Sequence, residues 1–163
     1  AIANLNVDPL EFPGCQATRL WSIIRHGSRN PSKKIIKQAQ HDLMDLKWLI
    51  LNQTDSQLCP IELERLRQWQ FKVKLEENKY LVDEGENELR MLGDRMRQRF
   101  PHLLLDQYDS RRYYFKYTAT QRTLRSAHSF ASGLFGQDQV DGIDFPEALH
   151  RDPVLRVSGL KNI

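Results

Sequence analysis

The sequence predicts an α/β protein, in which strands alternate with helices, and three stretches carry that prediction. Residues 19–24 form a short apolar run rich in strand-forming side chains, and residues 113–118 form a second run dense in aromatic residues. Between these two runs, roughly ninety residues have mostly helical spacing of their apolar side chains. Two strands joined by helical segments are typical of α/β domains.

The first predicted strand ends at a polar loop with the pattern Arg-His-Gly-x-Arg-x-Pro, residues 25–31. In open α/β sheets, ligands bind at the carboxyl ends of the strands. Arg25 and Arg29 flank His26, and a guanidinium holds two phosphate oxygens at once without losing its charge. The loop therefore predicts an anion site with one nitrogen nucleophile.

The placement of charge supports a small polyanionic ligand. The chain has 163 residues and a net charge of +3, which is too mild to indicate nucleic acid, and it fits one domain of modest size. No Asp or Glu occurs between Phe12 and His41. Six basic residues lie there: Arg19, Arg25, Arg29, Lys33, Lys34 and Lys37. Such a cluster favours anions, although the three lysines alone are equally typical of a solvated helix start.

Three helices are predicted between the strands. Apolar residues recur three and four apart from Ile35 to Ile50, directly after Pro31 and Ser32, so the positive end of this helix would face the anion site. A second helix is predicted over residues 61–73, with Trp69 and Phe71 in the core. A third is expected after Gly85, which we interpret as a break, and ends near residue 100.

The second predicted strand also leads to an arginine. Thr120 is a plausible N-cap, which places Arg122 in the first turn of the following helix. Two strands that each carry arginine at their carboxyl ends could bring those side chains to one anion. The alternative is a surface Arg122 held by a salt bridge.

These segments resemble a known family. Residues 25–31 resemble the signature of the histidine phosphatase superfamily, in the branch that contains acid phosphatases, phytases and multiple inositol polyphosphate phosphatases. Residues 120–127 resemble a second segment of that branch. The order of the shorter matches is most similar to the multiple inositol polyphosphate phosphatases; these lie at residues 20–31, 58–60, 84–89 and 99–101.

The resemblance implies a fold and a domain plan. It implies a mixed-sheet sandwich with flanking helices and an inserted helical cap, of the phosphoglycerate mutase-like type, present here in part. Residues 1–163 would form the N-terminal part of one catalytic domain. The stretch from roughly residue 38 to residue 105 would be mainly helical and would include part of the cap.

The resemblance also implies a reaction. The family hydrolyses phosphate monoesters, and the closest group acts on inositol polyphosphates such as inositol hexakisphosphate, without a metal or another cofactor. His26 would be the nucleophile that forms a phosphohistidine. The residues expected to bind substrate phosphate are Arg25, Arg29, Arg122, Ser32 and Lys33.

One family feature is not found in this sequence. These enzymes carry a second histidine, followed closely by Asp or Glu, that protonates the leaving oxygen. The nearest lookalike, residues 150–153 (His-Arg-Asp-Pro), instead resembles a family segment that leads toward the middle of the domain, and no other histidine downstream of residue 127 is followed closely by Asp or Glu. A missing general acid costs a factor on the order of 10² to 10⁴ in rate, so we expect the 163 residues alone to be nearly inactive. The alternatives are an acid phosphatase or phytase of broader specificity, and a non-catalytic inositol-phosphate binding module.

The compartment is suggested by one short pattern. Asn52-Gln53-Thr54 is an N-glycosylation acceptor, and together with the resemblance it indicates the secretory pathway, as a lumenal, secreted or cell-surface protein. Cys15 and Cys59 could pair with each other, pair with other cysteines, or stay free. No apolar run is long enough to predict a membrane span.

Overall fold

Four α-helices and a short 3₁₀ helix make up the regular structure in the computed structural model, which describes residues 6–54, 57–150 and 152–155. The helices are α1 (Lys33–Leu51), α2 (Pro60–Gln68), α3 (Asp83–Arg99) and α4 (Gln121–Phe135), and the 3₁₀ helix is Gln137–Gly142. The chain divides into a small unit, Asn30–Tyr80, and a main unit made of the residues before and after it. None of the described helices is long and apolar enough to cross a membrane.

The small unit consists mainly of α1 and α2. The predicted first helix is present, and Ile36 on α1 is fully buried. The second helix is shorter than predicted, because Lys47 on α1 donates hydrogen bonds to the carbonyl oxygens of Arg67 (2.7 Å) and Trp69 (2.8 Å). These bonds satisfy carbonyls that a continuing helix would have used. The prediction that Trp69 is buried is wrong, since the side chain is 40% exposed.

The main unit is built on the crossing of α3 and α4. Gly93 on α3 and Gly133 on α4 lie at the crossing, and a Cβ at either position would collide with a carbonyl oxygen of the other helix. The helix backbones therefore touch, which small residues alone permit. Beyond the crossing, α4 and the segments near it form a core whose buried members are Leu104, Ala131, Leu134, Phe135 and Ile143.

The predicted strands differ from what the structure shows. Residues 19–24 and 113–118 are not assigned as strands, and the only β-pairings among the described residues are the isolated bridges Phe12–Cys15 and Arg29–Leu81. A strand needs a neighbour for its N–H and C=O groups, and neither stretch pairs with one in the described part of the chain. The mixed sheet is therefore not formed there.

Residues 113–118 nevertheless keep the alternation of a strand. Tyr113 and Phe115 pack edge-on against Phe135 of α4, with ring centroids 4.8 and 6.3 Å away, whereas Tyr114 between them is 76% exposed. A period of two with one covered face is the pattern of a half-buried strand. The alternation of side chains is thus present at residues 113–118, although the predicted strand is not.

A buried ion pair holds the last described segment to this stretch. Asp152 is 1% exposed, and one of its carboxylate oxygens lies 2.7 Å from Nζ of Lys116. Its other oxygen accepts hydrogen bonds from the main-chain N–H groups of Val154 and Leu155, each at 2.9 Å. The bond from Lys116, followed by the bond from the Leu155 N–H, holds the pKa of Asp152 below its usual value.

Candidate active site

His26 has a defined orientation within the loop. Its Nδ1 lies 2.8 Å from the carbonyl oxygen of Gly27, and the side chain is half-buried. A carbonyl oxygen can only accept a hydrogen bond, so Nδ1 carries the hydrogen of this bond. In the neutral ring, Nε2 then carries the lone pair. The hydrogen bond thus fixes the ring so that Nε2 is the nitrogen with a lone pair available.

Gly27 fits tightly between two helices of the main unit. Its N–H donates to Oγ of Ser126 on α4 at 3.2 Å. On the other side, a Cβ at Gly27 would collide with the backbone of Gly85 in the first turn of α3, and a Cβ at Gly85 would collide with the backbone of Ser28. Neither glycine has a positive φ, so backbone conformation does not require glycine at these positions. The close approach of the two backbones does.

Ser28 is bound by a carboxylate. Its N–H donates to one oxygen of Glu88 at 2.8 Å, and its hydroxyl donates to the other at 2.6 Å. These two bonds, the one from the hydroxyl first, hold the pKa of Glu88 below its usual range. The carbonyl oxygen of Ser28 accepts from the N–H of Val82 at 3.1 Å, next to the bridge between Arg29 and Leu81. The N–H, the hydroxyl group and the carbonyl oxygen of Ser28 are therefore all hydrogen-bonded to residues of the main unit.

The structure brings the two family-like segments together. Ser126, which contacts Gly27, lies one turn after Arg122 on α4, so both side chains are on the same face of that helix. Arg122 is in the first turn of α4, as predicted. Thr120 is the N-cap residue, but its hydroxyl bonds to Oγ1 of Thr123 at 2.7 Å and does not cap the helix.

Two main-chain donors at the centre of the loop are already used. The N–H of Gly27 is bonded to Ser126 and the N–H of Ser28 to Glu88, so neither can donate to a phosphate without breaking an internal bond. Arg25 and Arg29 are exposed and Arg122 is half-buried, and all three belong to the main unit.

Two predicted phosphate ligands belong to the small unit. Ser32 is the N-cap residue of α1 and Lys33 is its first residue, and Lys33 is exposed. The contribution of Ser32 and Lys33 to phosphate binding stays a prediction. Asn52, the predicted glycosylation site, follows α1 and is exposed, and its side-chain amide donates to the carbonyl oxygen of Trp48 at 2.8 Å.

Sequence reasoning missed the residues that hold the loop. Gly85 was interpreted as a break before the third helix, whereas it lies inside the first turn of α3. Glu88 and Ser126 were not singled out, because a hydrogen bond across 60 or 99 residues leaves no periodic signal in the sequence. The one feature of the sequence that could have indicated Glu88 and Ser126 is their position in segments 84–89 and 120–127, which resemble the family.

Comparison with known proteins shows the family of the chain. The family model of the histidine phosphatase superfamily (branch 2) matches residues 18–157. Multiple inositol polyphosphate phosphatase 1 of Drosophila melanogaster is 32% identical over 167 residues, which cover 93% of this chain and 35% of the relative. The chain thus spans about a third of the length of that relative. No solved structure matches the chain.

Proposed function

Because the chain belongs to branch 2 of the histidine phosphatase superfamily, we propose that the natural protein that carries it hydrolyses phosphate monoesters of inositol. Membership in the superfamily implies an α/β fold. The observation that supports the reaction most directly is the hydrogen bond from Nδ1 of His26 to the carbonyl oxygen of Gly27, which leaves Nε2 as the nucleophilic nitrogen.

The proposed reaction has two steps. Nε2 of His26 attacks the phosphorus, a P–N bond forms, and the bond from phosphorus to the ester oxygen breaks, with a proton donor supplying the hydrogen of the leaving alcohol. Water then attacks the phosphohistidine, which releases inorganic phosphate and regenerates His26. None of the described residues is assigned as the proton donor.

The arginines would stabilise the charge that develops on the phosphoryl oxygens. Arg25 and Arg29 flank the nucleophile in the sequence, and Arg122 shares a helix face with Ser126, which bonds to the loop. Fixed cations of this kind supply most of the catalysis in phosphoryl transfer. Guanidinium groups suit the task because each can bind two oxygens of one phosphate.

The proposed substrate class is inositol polyphosphate. The sequence between Phe12 and His41 carries six basic residues and no acidic one, which favours a ligand with several phosphates over one with a single phosphate. The name of the Drosophila relative, multiple inositol polyphosphate phosphatase 1, supports the same class. A small polyanion is thus the expected binding partner.

The test is phosphate release from inositol hexakisphosphate by the complete natural chain, at mildly acidic pH and in the presence of a chelator. We expect release in the wild type, and a loss of several orders of magnitude in His26→Ala, because the nucleophile is removed. His102→Ala is the matched control, since His102 is an exposed histidine of the main unit, and it should keep wild-type activity.

The same assay separates the alternatives. Faster release from p-nitrophenyl phosphate than from inositol hexakisphosphate would indicate an acid phosphatase of broader specificity. Binding of inositol hexakisphosphate without any release would indicate a binding module and would contradict the proposed reaction.

We also propose that the protein enters the secretory pathway and carries a glycan on Asn52. The exposure of Asn52 at the end of α1 is compatible with modification. Expression in a eukaryotic secretory host should yield a product whose mass falls on enzymatic deglycosylation, and Asn52→Gln should remove that shift. An unmodified wild-type product from such a host would contradict this proposal.

A further inference from the structure

We propose that Glu88 is a positioning residue, which orients His26 by holding Ser28, an inference that rests on the proposed phosphatase reaction. Both carboxylate oxygens of Glu88 bind the same residue, one through its N–H at 2.8 Å and one through its hydroxyl at 2.6 Å. Two bonds to one residue fix its orientation as well as its position.

The need for such a restraint follows from the glycine between Ser28 and His26. Glycine is the most permissive residue of the backbone, so the direction of the chain at Gly27 depends on what holds its neighbours. Ser28, on the other side of Gly27 from His26, is held by two residues. Val82 binds its carbonyl oxygen, and Glu88 binds both its N–H and its hydroxyl group. Because His26 bonds to the carbonyl oxygen of Gly27, a shift of Gly27 would move the imidazole with it.

A carboxylate suits this position for a second reason. An ionised carboxylate has hydrogen-bond acceptors and no donors, so it cannot bind a phosphate oxygen and does not compete with the arginines for the phosphate. It also occupies both donors of Ser28, which would otherwise be available to a phosphate in an unproductive position. Glu88 therefore keeps the anion on the guanidinium groups, while it takes no part in bond making.

The experiment compares variants in the complete natural chain, with inositol hexakisphosphate as the substrate. Glu88→Ala removes both bonds and should lower kcat about 10²-fold, because small misplacement of a reacting group has effects of this size. KM should not rise, since the guanidinium groups that bind the substrate remain and the freed donors of Ser28 can only add unproductive binding. Glu84→Ala is the matched control: Glu84 is an exposed glutamate one turn earlier on α3, and this variant should keep the wild-type kcat.

Two further variants separate positioning from simple loss of stability. In Glu88→Gln the amide can accept from the N–H of Ser28 and donate to its hydroxyl, so kcat should return to within about fivefold of the wild type. In the double variant Ser28→Ala with Glu88→Ala, kcat should be no lower than in Glu88→Ala alone, because both changes break the same contact. Hydrogen exchange in the peptide that covers residues 25–31 should accelerate in Glu88→Ala and not in Glu84→Ala.

The outcomes are distinct. A wild-type chain that releases no phosphate contradicts the proposed function and with it the role of Glu88. An active wild type with an equally active Glu88→Ala variant overturns the inference alone. The inference also fails if Glu88→Gln is as impaired as Glu88→Ala, or if kcat of the double variant is clearly lower than that of Glu88→Ala alone.

Discussion

The two central main-chain donors of the loop at residues 25–29 are already bonded within the protein. The N–H groups of Gly27 and Ser28 donate to Ser126 and Glu88. A loop that binds phosphate through its backbone would leave these groups pointing at the ligand. In the proposed reaction the guanidinium groups bind the phosphoryl oxygens, so we expect the removal of any one of them to be costly.

We therefore predict that Arg122→Ala lowers kcat/KM for inositol hexakisphosphate by about 10² to 10³-fold, as expected for the loss of one donor to developing charge. The measurement is steady-state phosphate release by the complete natural chain. Arg125→Ala is the control, since Arg125 lies on the same helix but pairs with Glu86. Equal activity of the two variants would contradict a role for Arg122 in binding phosphate.

The elements that carry the site are the N-terminal halves of α3 and α4. Gly85 in α3 admits the backbone of Gly27 and Ser28, and Ser126 in α4 binds the same loop from its own helix. The helices are themselves locked together by the backbone contact at Gly93 and Gly133. The loop is thus held by a rigid pair of helices, as precise positioning of a nucleophile requires.

Replacing Gly85 tests this contact. Gly85→Ala should destabilise the protein by about 1–3 kcal/mol, because the new Cβ meets the backbone of Ser28, which cannot rotate away. The better helix propensity of alanine offsets at most about 1 kcal/mol of this loss. Gly142→Ala is the matched control, since nothing lies within 4 Å of a Cβ there, and it should change stability by less than about 0.5 kcal/mol. The free energy of unfolding in urea measures both, and an equal, small effect would argue against the close approach.

Helix prediction succeeded for α1 and for the start of α4. The spacing from Ile35 to Ile50 predicted α1, and the N-cap position of Thr120 predicted the start of α4. The second helix was predicted too long because its end depends on Lys47, which lies 20 residues from Arg67 in the sequence. Periodicity describes a helix face and carries no information about which distant side chain ends the helix.

The stability of the whole molecule depends on pH, and protonation of Asp152 should lower that stability in acid. The pKa of Asp152 is lowered from its usual value of 3.8 by Lys116 and by main-chain N–H groups. The ionised carboxylate of Asp152 is therefore favoured in the folded state. Its contribution to the stability of the fold is fully present above the ordinary pKa of 3.8 and is lost as the pH falls through the lowered pKa.

We predict that the melting temperature of the wild type falls as the pH is lowered from about 6 to about 3, and that Asp152→Asn makes this fall shallower. The variant should also melt at a lower temperature near pH 6, because Lys116 loses its partner. Asp144→Asn, which changes an exposed carboxylate, should leave the pH profile as it is. Parallel profiles for the wild type and Asp152→Asn would contradict a lowered pKa for Asp152.

The sequence by itself determined where the helices lie, apart from the end of α2, and the segments that identify the family, because each depends on neighbours within a few residues or on a local pattern. Only the tertiary structure decided that Gly27 lies against Gly85, that Ser28 is bound by Glu88 and that the loop meets α4 at Ser126. These contacts join residues 58 to 99 positions apart. Their formation depends on how α3 and α4 pack, and that packing leaves no periodic trace in the chain.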